Sequence, residues 1–457
     1  MSTSQALMDL WSGEIVITDS DEEESDGERE QPQPMPQGGA RVTTSVRHTR
    51  SSAAAAAAET WTARTAAMAA NSGPEPFPLL TFLENDFGPQ MLQFLSVRRL
   101  WITRRVNRLF RRLCHQALGT VPRLVLGGQD FMGDGGSSQF FEAIDMQTLH
   151  WTRLAALPAR RVDAAMVGLP GGQLVVCGGM VYDRSTSWNH TLSALVLDAD
   201  GKLWTELPMI NTPRSDGRLV QLYDGRLLMM GGTHIGGGPD GEDIDLASVE
   251  VYAQGSEAWG FIAPMLQPRS AFATCVMRSG EVMVAGGVIE KKKSDNTADD
   301  DGHDGGEDGQ EGEETSEVYN PLTNKWTLLP RAPAACREAD AGWELEDGRF
   351  CVRGRGGEKG SATRICFALS HDRRSWEEVW VNESRRGGPT AIAVRGGGCL
   401  MAGGMSPEDG TSLMTAELWD EESGGTYLLP HQMQHPRGFT FGTAIPRLGA
   451  QAMEEAD

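Results

Sequence analysis

Six arginines stand in register along this 457-residue chain, and they are the residues whose repetition most suggests chemistry. Arg161, Arg214, Arg269, Arg337 and Arg386 each precede a glycine by 17 residues, and Arg437 follows as a sixth. A guanidinium is a planar, permanently charged fork of donors, so several converging on one mouth would suit carboxylates or an acidic peptide. The competing reading is internal, with each Arg bonding backbone within its repeat. Other chemistry is sparse. There is no G-x-x-x-x-G-K-S/T phosphate loop, no G-x-S-x-G elbow and no H-E-x-x-H helix. The stretches GGQDFMGDGG and GGTHIGGGPDG lack the lysine and the strand-to-helix setting that phosphate needs, and read as loops. His431 and His435 are four apart, but Gln434 and Pro436 place them in a loop. The expectation is no catalytic residue, no metal, no cofactor, and a protein that is not an enzyme.

The elements that position those arginines repeat. Apolar runs end in glycine at LVLGG (124–128), LVVCGG (174–179), LLMMGG (227–232), VMVAGG (282–287), FCVRGR (350–355) and CLMAGG (399–404). The first glycines lie 51, 53, 55, 68 and 49 residues apart, and the long interval contains an acidic insertion. Trp151, Trp204, Trp259, Trp376 and Tyr427 each lie 10 residues before an Arg, and Trp326 lies 11 before. Arg437 has no apolar run after it, and the run at 124 has no Arg-led segment before it. The two ends are complementary halves of one unit. A four-stranded unit of about 50 residues cannot bury a core alone, whereas stacking such sheets around an axis covers their faces. Runs without alternation suit strands buried on both sides. The expectation is a ring over 121–446, closed by pairing 439–445 with 123–127. The connections between second and third strands, and between fourth and first, would share one face. All six arginines would stand at its mouth.

The apolar-Gly-Gly runs, Val249–Tyr252, Glu317-Val318-Tyr319-Asn320-Pro321 and the tryptophans together resemble Kelch repeats. That resemblance implies an all-β fold, a six-bladed Kelch β-propeller, and a protein-interaction role with a target on the loop face. The fifth copy departs from the pattern, with Arg355 at the second glycine, and the sixth has Tyr427 for Trp. Some Kelch propellers are copper oxidases, but a Tyr/Cys/His constellation and a secretory start are not found.

Before the ring, residues 76–120 read as short helices: Ile102, Val106, Leu109, Phe110 and Leu113 recur at helical spacing, with seven bases against two acids over 77–118. Met91 to Leu95 and Val106 to Phe110 resemble the centre and close of an F-box, with Phe110 for Trp and Glu84 where a proline is usual. The resemblance implies a Skp-type adaptor packing on Leu92, Phe94, Leu95, Val106 and Phe110, and a substrate receptor of a cullin-type ubiquitin ligase. The alternatives are a Kelch scaffold whose helices form a lid, and more distantly a propeller oxidase.

Residues 1–75 carry DSDEEESDGERE, QPQPMPQGG and a run of alanines, and read as a disordered tail. Ile15, Val16 and Ile17 before an acidic run resemble a SUMO-interacting motif, a strand added to a sheet edge. Ser20 and Ser25, each followed by acids, resemble acidophilic-kinase sites. Residues 1–30 hold ten acids and one base, and 290–317 hold twelve acids and three bases. These two segments carry most of the net charge of −22, so the remainder is nearly neutral. Nucleic acid is an unsuited partner. No run of about 20 apolar residues suggests a membrane span, and 447–457 reads as a tail. Seven irregularly spaced cysteines without C-x-x-C fit a reducing cytoplasmic or nuclear setting. Part of 295–317 would fold back over the positive mouth.

Overall fold

The computed structural model describes residues 92–445, except 93–94, 96, 105–107, 120, 130–138, 183–187, 235, 237–241, 288–314, 340, 356–363, 383–385, 395–397 and 422. The expectations on residues 1–75, with Ile15, Val16 and Ile17, lie outside the described residues. So do those on most of the acidic insertion, on Phe94 and on Val106.

Among the described residues are six four-stranded antiparallel sheets. Sheet I is Arg123–Gln129, Glu142–Ile144 and Trp151–Arg153 with Phe439–Ile445 added at its inner edge. Sheets II and III run from Ala165–Gly168 to Trp204–Leu207 and from Arg218–Gln221 to Gly260–Ile262. Sheets IV, V and VI run from Ala273–Val276 to Lys325–Leu329, from Ala341–Glu344 to Trp376–Asn382, and from Thr390–Val394 to Gly425–Leu428. Each innermost strand touches the innermost strands of the sheets on either side, so contacts pass from Ala165–Gly168 around to Phe439–Ile445 and back. The closing pair is in the expected register: Arg123 faces Ile445 and Gln129 faces Phe439.

Burial explains the apolar runs. Leu174–Cys177, Leu227–Met230, Val282–Ala285 and Gly398–Ala402 are buried at every position, because each second strand has a sheet on both faces. One interlayer joins Leu228, Met230 and Val249 of sheet III to Phe272, Val282, Tyr319 and Trp326 of sheet IV. The tryptophans fasten neighbours. The Nε1 of Trp204, Trp259, Trp326 and Trp376 donates to the carbonyls of Ala155, Pro208, Ala263 and Pro330, each at the end of the preceding sheet. Trp151 makes the same bond to His431 across the closure. The Gly-Gly pairs turn the chain out of the second strand. Gly231 and Gly232 both have positive φ (56° and 98°), and a Cβ on Gly231 would lie 2.5 Å from the Arg269 carbonyl oxygen.

The helices α1 (Val97–Thr103) and α2 (Arg108–Gly119) precede the ring. On α2, Leu113, Cys114, Ala117 and Leu118 form the buried stripe, and Arg112, His115 and Gln116 face solvent. With Leu92, Val97 and Leu100, that stripe packs on Leu124, Ile144, Leu400 and Leu418 of sheets I and VI. Leu92 is therefore held against the propeller, which corrects its reading as a surface contact for an adaptor; Leu95 packs partly against the same cluster. Trp101 Nε1 and an Arg104 Nη donate to the carbonyls of Met146 and Gln147, and Gln147 Nε2 donates to the His115 carbonyl. Residues 145–150 form the third-to-fourth-strand turn, so the helices dock at the end of sheet I opposite its second-to-third connection. Arg98 of α1 stacks on Tyr427, 4.7 Å from the ring centroid.

The closure yields a contrast between two glycines. A Cβ on Gly442 would lie 2.4 Å from Thr390 Cγ2 and 2.6 Å from the Val125 carbonyl oxygen, whereas one on Gly260 would meet nothing within 4 Å. In urea unfolding followed by tryptophan fluorescence, Gly442→Ala should cost about 1–3 kcal/mol, and Gly260→Ala should stay within about 0.5 kcal/mol of the parent.

Candidate functional site

The recurrent arginines are placed by the linkers between sheets, and their side chains turn inward. Arg214, Arg269 and Arg437 have no exposed surface, and Arg161 and Arg386 almost none. The Arg214 Nη1 donates to the carbonyls of Gly231 and Ser248, and its Nη2 to Ser248 Oγ and to Glu250 at 2.8 Å. Arg269 repeats this with Gly286, Thr315 and Glu317, the last at 2.6 Å. Arg386 repeats it with Gly403, Thr415 and Glu417. Arg437 reaches across the closure to the Gly128 carbonyl and Glu142. Arg161 binds Gly178 and Ser193, with Leu195 at the register position of the glutamate. Burial pushes its pKa down to about 10, and it stays charged at neutral pH. The main chain of the same linkers completes the tie. The N–H of Gly179, Gly232 and Gly404 donates to the carbonyls of Arg214, Arg269 and Arg437.

These contacts correct the reading of Arg161, Arg214, Arg269, Arg386 and Arg437 as mouth ligands. Their donors point at carbonyls and carboxylates inside the protein, and a ligand cannot reach them. Arg337 fails for a different reason. It lies exposed in the 3-10 turn Ala334–Glu338, and the second strand of sheet V runs through Gly354 to Arg355 instead of turning. There Arg353, not Arg337, is fully buried. The glutamates were missed at the sequence level, although a signal existed. Glu250 and Glu317 each stand two residues beyond a Ser or Thr and two before a Tyr. Phe110 lies on α2.

Among the described residues, the loops after the second strands of sheets II, III and VI share a face. Met180–Tyr182 and Trp188–His190 form a hairpin joined by Arg161–Val162, and Thr233–His234 pairs with Ile244–Asp245. The residue after an Arg pairs with the residue after a Gly pair three times: Val162 with Met180, Ser215 with Thr233, and Gly387 with Met405. Beneath lies a channel of about 810 Å³ lined by all six innermost strands. Its rim carries acids. Asp163, Asp216 and Ala271, each two residues beyond an Arg, adopt positive φ of 51–54°. They form a chain of bonds, from Asp216 N–H to the Asp163 carbonyl and from Ala271 N–H to the Asp216 carbonyl. Burial, then the neighbouring Asp216, pushes the Asp163 carboxyl up to about 7. Asp216 is raised too, by burial, with Arg218 opposing and Asp245 adding. His190 accompanies them, with Nε2 3.1 Å from Ser215 Oγ and its ring 6.2 Å from His234. Its pKa is lowered by burial and by His234. The Arg-x-Asp pattern at 161–163 and 214–216 was a readable signal of this rim. An acidic rim also removes the attraction expected to draw 295–317 over the mouth.

No family model matches the chain. Among solved structures, one titled "Structure of YjhT" shares the fold at 13% identity and a TM-score of 0.50, over 67% of this chain and 97% of that one. The ring is thus an all-β propeller. Human Kelch-like protein 33 is 33% identical over 144 residues, 31% of this chain and 25% of the relative. Human Kelch repeat and BTB domain-containing protein 13 is 31% identical over 142 residues, 31% of this chain and 28% of the relative. Kelch-like protein 36 of Bos taurus is 22% identical over 274 residues, 51% and 42% of the two chains. The chain is similar to these Kelch-repeat proteins, and its matches span less than half of their length. The likeness to YjhT overturns one expectation. The sequence reading excluded an enzyme because motifs of other folds were missing. A propeller fold is open to catalysis as well as to binding, so that exclusion does not stand.

The rim gives a pH test. A carboxyl whose folded pKa is raised stabilises the fold fully below its unfolded value, near 4, and that contribution is lost as pH rises through about 7. Asp163→Asn, which keeps a side chain tolerant of positive φ, should melt higher than the parent at pH 8, with the gap closing toward pH 4.

Proposed function

We propose that this Kelch-repeat interaction module holds a protein target on its hairpin-bearing face and serves as the substrate receptor of a cullin-type ubiquitin ligase. The observation that carries the reading is polarity of the molecule. Hairpins rise around the channel mouth at one end, while α1 and α2 dock against the third-to-fourth-strand turn at the other. A receptor needs two such separate faces, one for target and one for machinery. The F-box-like order of Met91 to Leu95 and Val106 to Phe110 supports a Skp-type adaptor as the machinery. Since Leu92 is covered by the propeller, the adaptor would engage the solvent side of the helices, where Arg112, His115 and Gln116 lie. The β-branched Ile15-Val16-Ile17 before acids supports SUMO as an additional partner. The free cysteines, of which six are buried, suit a cytoplasmic or nuclear setting.

The full-length chain co-expressed with a Skp-type adaptor should retain it through size exclusion. Arg112→Glu with His115→Glu should release it while the variant still unfolds cooperatively. Failure of the parent chain to retain the adaptor would reject the receptor reading and leave the interaction module.

A further inference from the structure

This inference rests on the loop-face assignment above and names the chemistry held there. We propose that the mouth between sheets II and III receives a cationic side chain, arginine or lysine, from a protein partner.

Two carboxylates stand side by side on the rim, since Asp163 and Asp216 are joined through their backbones. Both are held in positive φ, a conformation fixed by the bonds between linkers, so the pair is preorganised. Asp245 on the Ile244–Asp245 strand adds a third carboxylate nearby, and His190 and His234 complete the edge. The cation closest to hand is already engaged: Arg218 Nε donates to the Phe272 carbonyl at 2.6 Å, and Nη1 to that of Gly217.

The channel supplies an independent sign of a ligand. It begins at Ala164 and Gly217, one residue beyond each rim carboxylate. Its 810 Å³ lies in the range of ligand sites and exceeds what one side chain fills. Thr390 lines it from sheet VI, only 6% exposed, and its hydroxyl has no hydrogen-bond partner. By register, Thr390 and Arg218 both lie two residues beyond a positive-φ rim residue, Gly388 and Asp216. A long basic side chain passing the two carboxylates would bring its stem into the channel that opens one residue beyond each of them. An acidic side chain would meet repulsion at the rim. The inward-turned arginines offer it no compensation, since each is buried and directs its Nη groups into its own sheet.

Binding also couples to protons. An arriving cation favours the ionised pair, so affinity should rise with pH. For a carboxyl titrating near 7, the ionised fraction climbs from about a tenth at pH 6 to about nine-tenths at pH 8, roughly a tenfold change. The groups facing the pair are Asp243, Asp245, Arg218, His190 and His234. Burial and His234 push His190 below the ordinary imidazole value, so a variant must separate its contribution from that of the carboxyls.

The test uses the full chain and a fluorescein-labelled pentapeptide with two arginines between glycines, read by fluorescence anisotropy. Affinity for the parent should rise about tenfold from pH 6 to pH 8. The paired variant Asp163→Asn with Asp216→Asn should bind at least tenfold more weakly at pH 8 and lose most of that slope. Equal binding by parent and variant would overturn the proposal and assign the peptide to the acidic stretches 1–30 and 290–317, which both proteins share. Should the paired variant fail to fold, Asp245→Asn serves in its place and should weaken binding about threefold; no change would again overturn the proposal. Adaptor retention, read on the same proteins, reports on the opposite end of the molecule and separates a failure here from a failure of the receptor reading.

Discussion

The structure depends on a buried tie made in every sheet but sheet V. A linker arginine crosses from one blade to the next and its guanidinium joins a glycine carbonyl; in sheets III, IV and VI a Ser or Thr and a glutamate complete the set. In sheet III the Glu250 carboxylate also accepts the N–H of Asn211 and Thr212, and in sheet IV Glu317 accepts those of Leu266 and Gln267. Burying an ion pair is costly unless its remaining donors and acceptors are met. Here backbone meets most of them, so the charge is bound to a particular path of the linker. The tie fixes register, and hydrophobic burial between sheets supplies the bulk of the stability. Arg437 shows the point most directly, because its partners Gly128 and Glu142 come from the far end of the sequence. The closure is locked by charge as well as by the seven-residue pairing of the last strand with the first.

That tie also decides what the mouth can be. Once the guanidinium has turned inward, the residues just after it form the rim. Two residues beyond Arg161 and Arg214 the chain passes through positive φ at aspartates. A ring that looks basic in sequence therefore presents two carboxylates, not two guanidinium groups, on the rim of sheets II and III. The hairpins over sheets II and III grow from the same linkers, since Val162 and Ser215 pair with Met180 and Thr233. Fold and recognition surface share one set of bonds. The helices lie elsewhere, on the end defined by the 145–150 turn, and leave the rim open.

The architecture was legible because repetition amplifies weak signals. Each Gly-Gly pair alone is an ordinary turn, but the constant spacing from Arg to glycine reported a real bond, as in Arg269 to the Gly286 carbonyl. The same spacing misled about the site. It shows that an arginine belongs to its glycine and says nothing about whether the side chain faces solvent. Burial of a charge is visible only once its partner is known, and Glu317 lies 48 residues from Arg269 across an insertion of variable length. Sheet V was harder to read for a related reason. Arg355 replaces the second glycine, so the strand runs on, the linker forms a 3-10 turn, and Arg337 leaves the register it holds in sequence. The helical segment was found from its periodicity, but Leu92 could not be assigned to propeller or partner without seeing sheets I and VI beside it.

The central claim is that the recurrent arginines hold the blades together and do not hold the ligand. Equilibrium urea unfolding of Arg269→Met tests it most directly. Removing one member of a buried, hydrogen-bonded pair leaves Glu317 uncompensated, and a loss of about 3–5 kcal/mol is predicted. Unchanged stability in Arg269→Met would contradict the account and return the arginine to the binding surface.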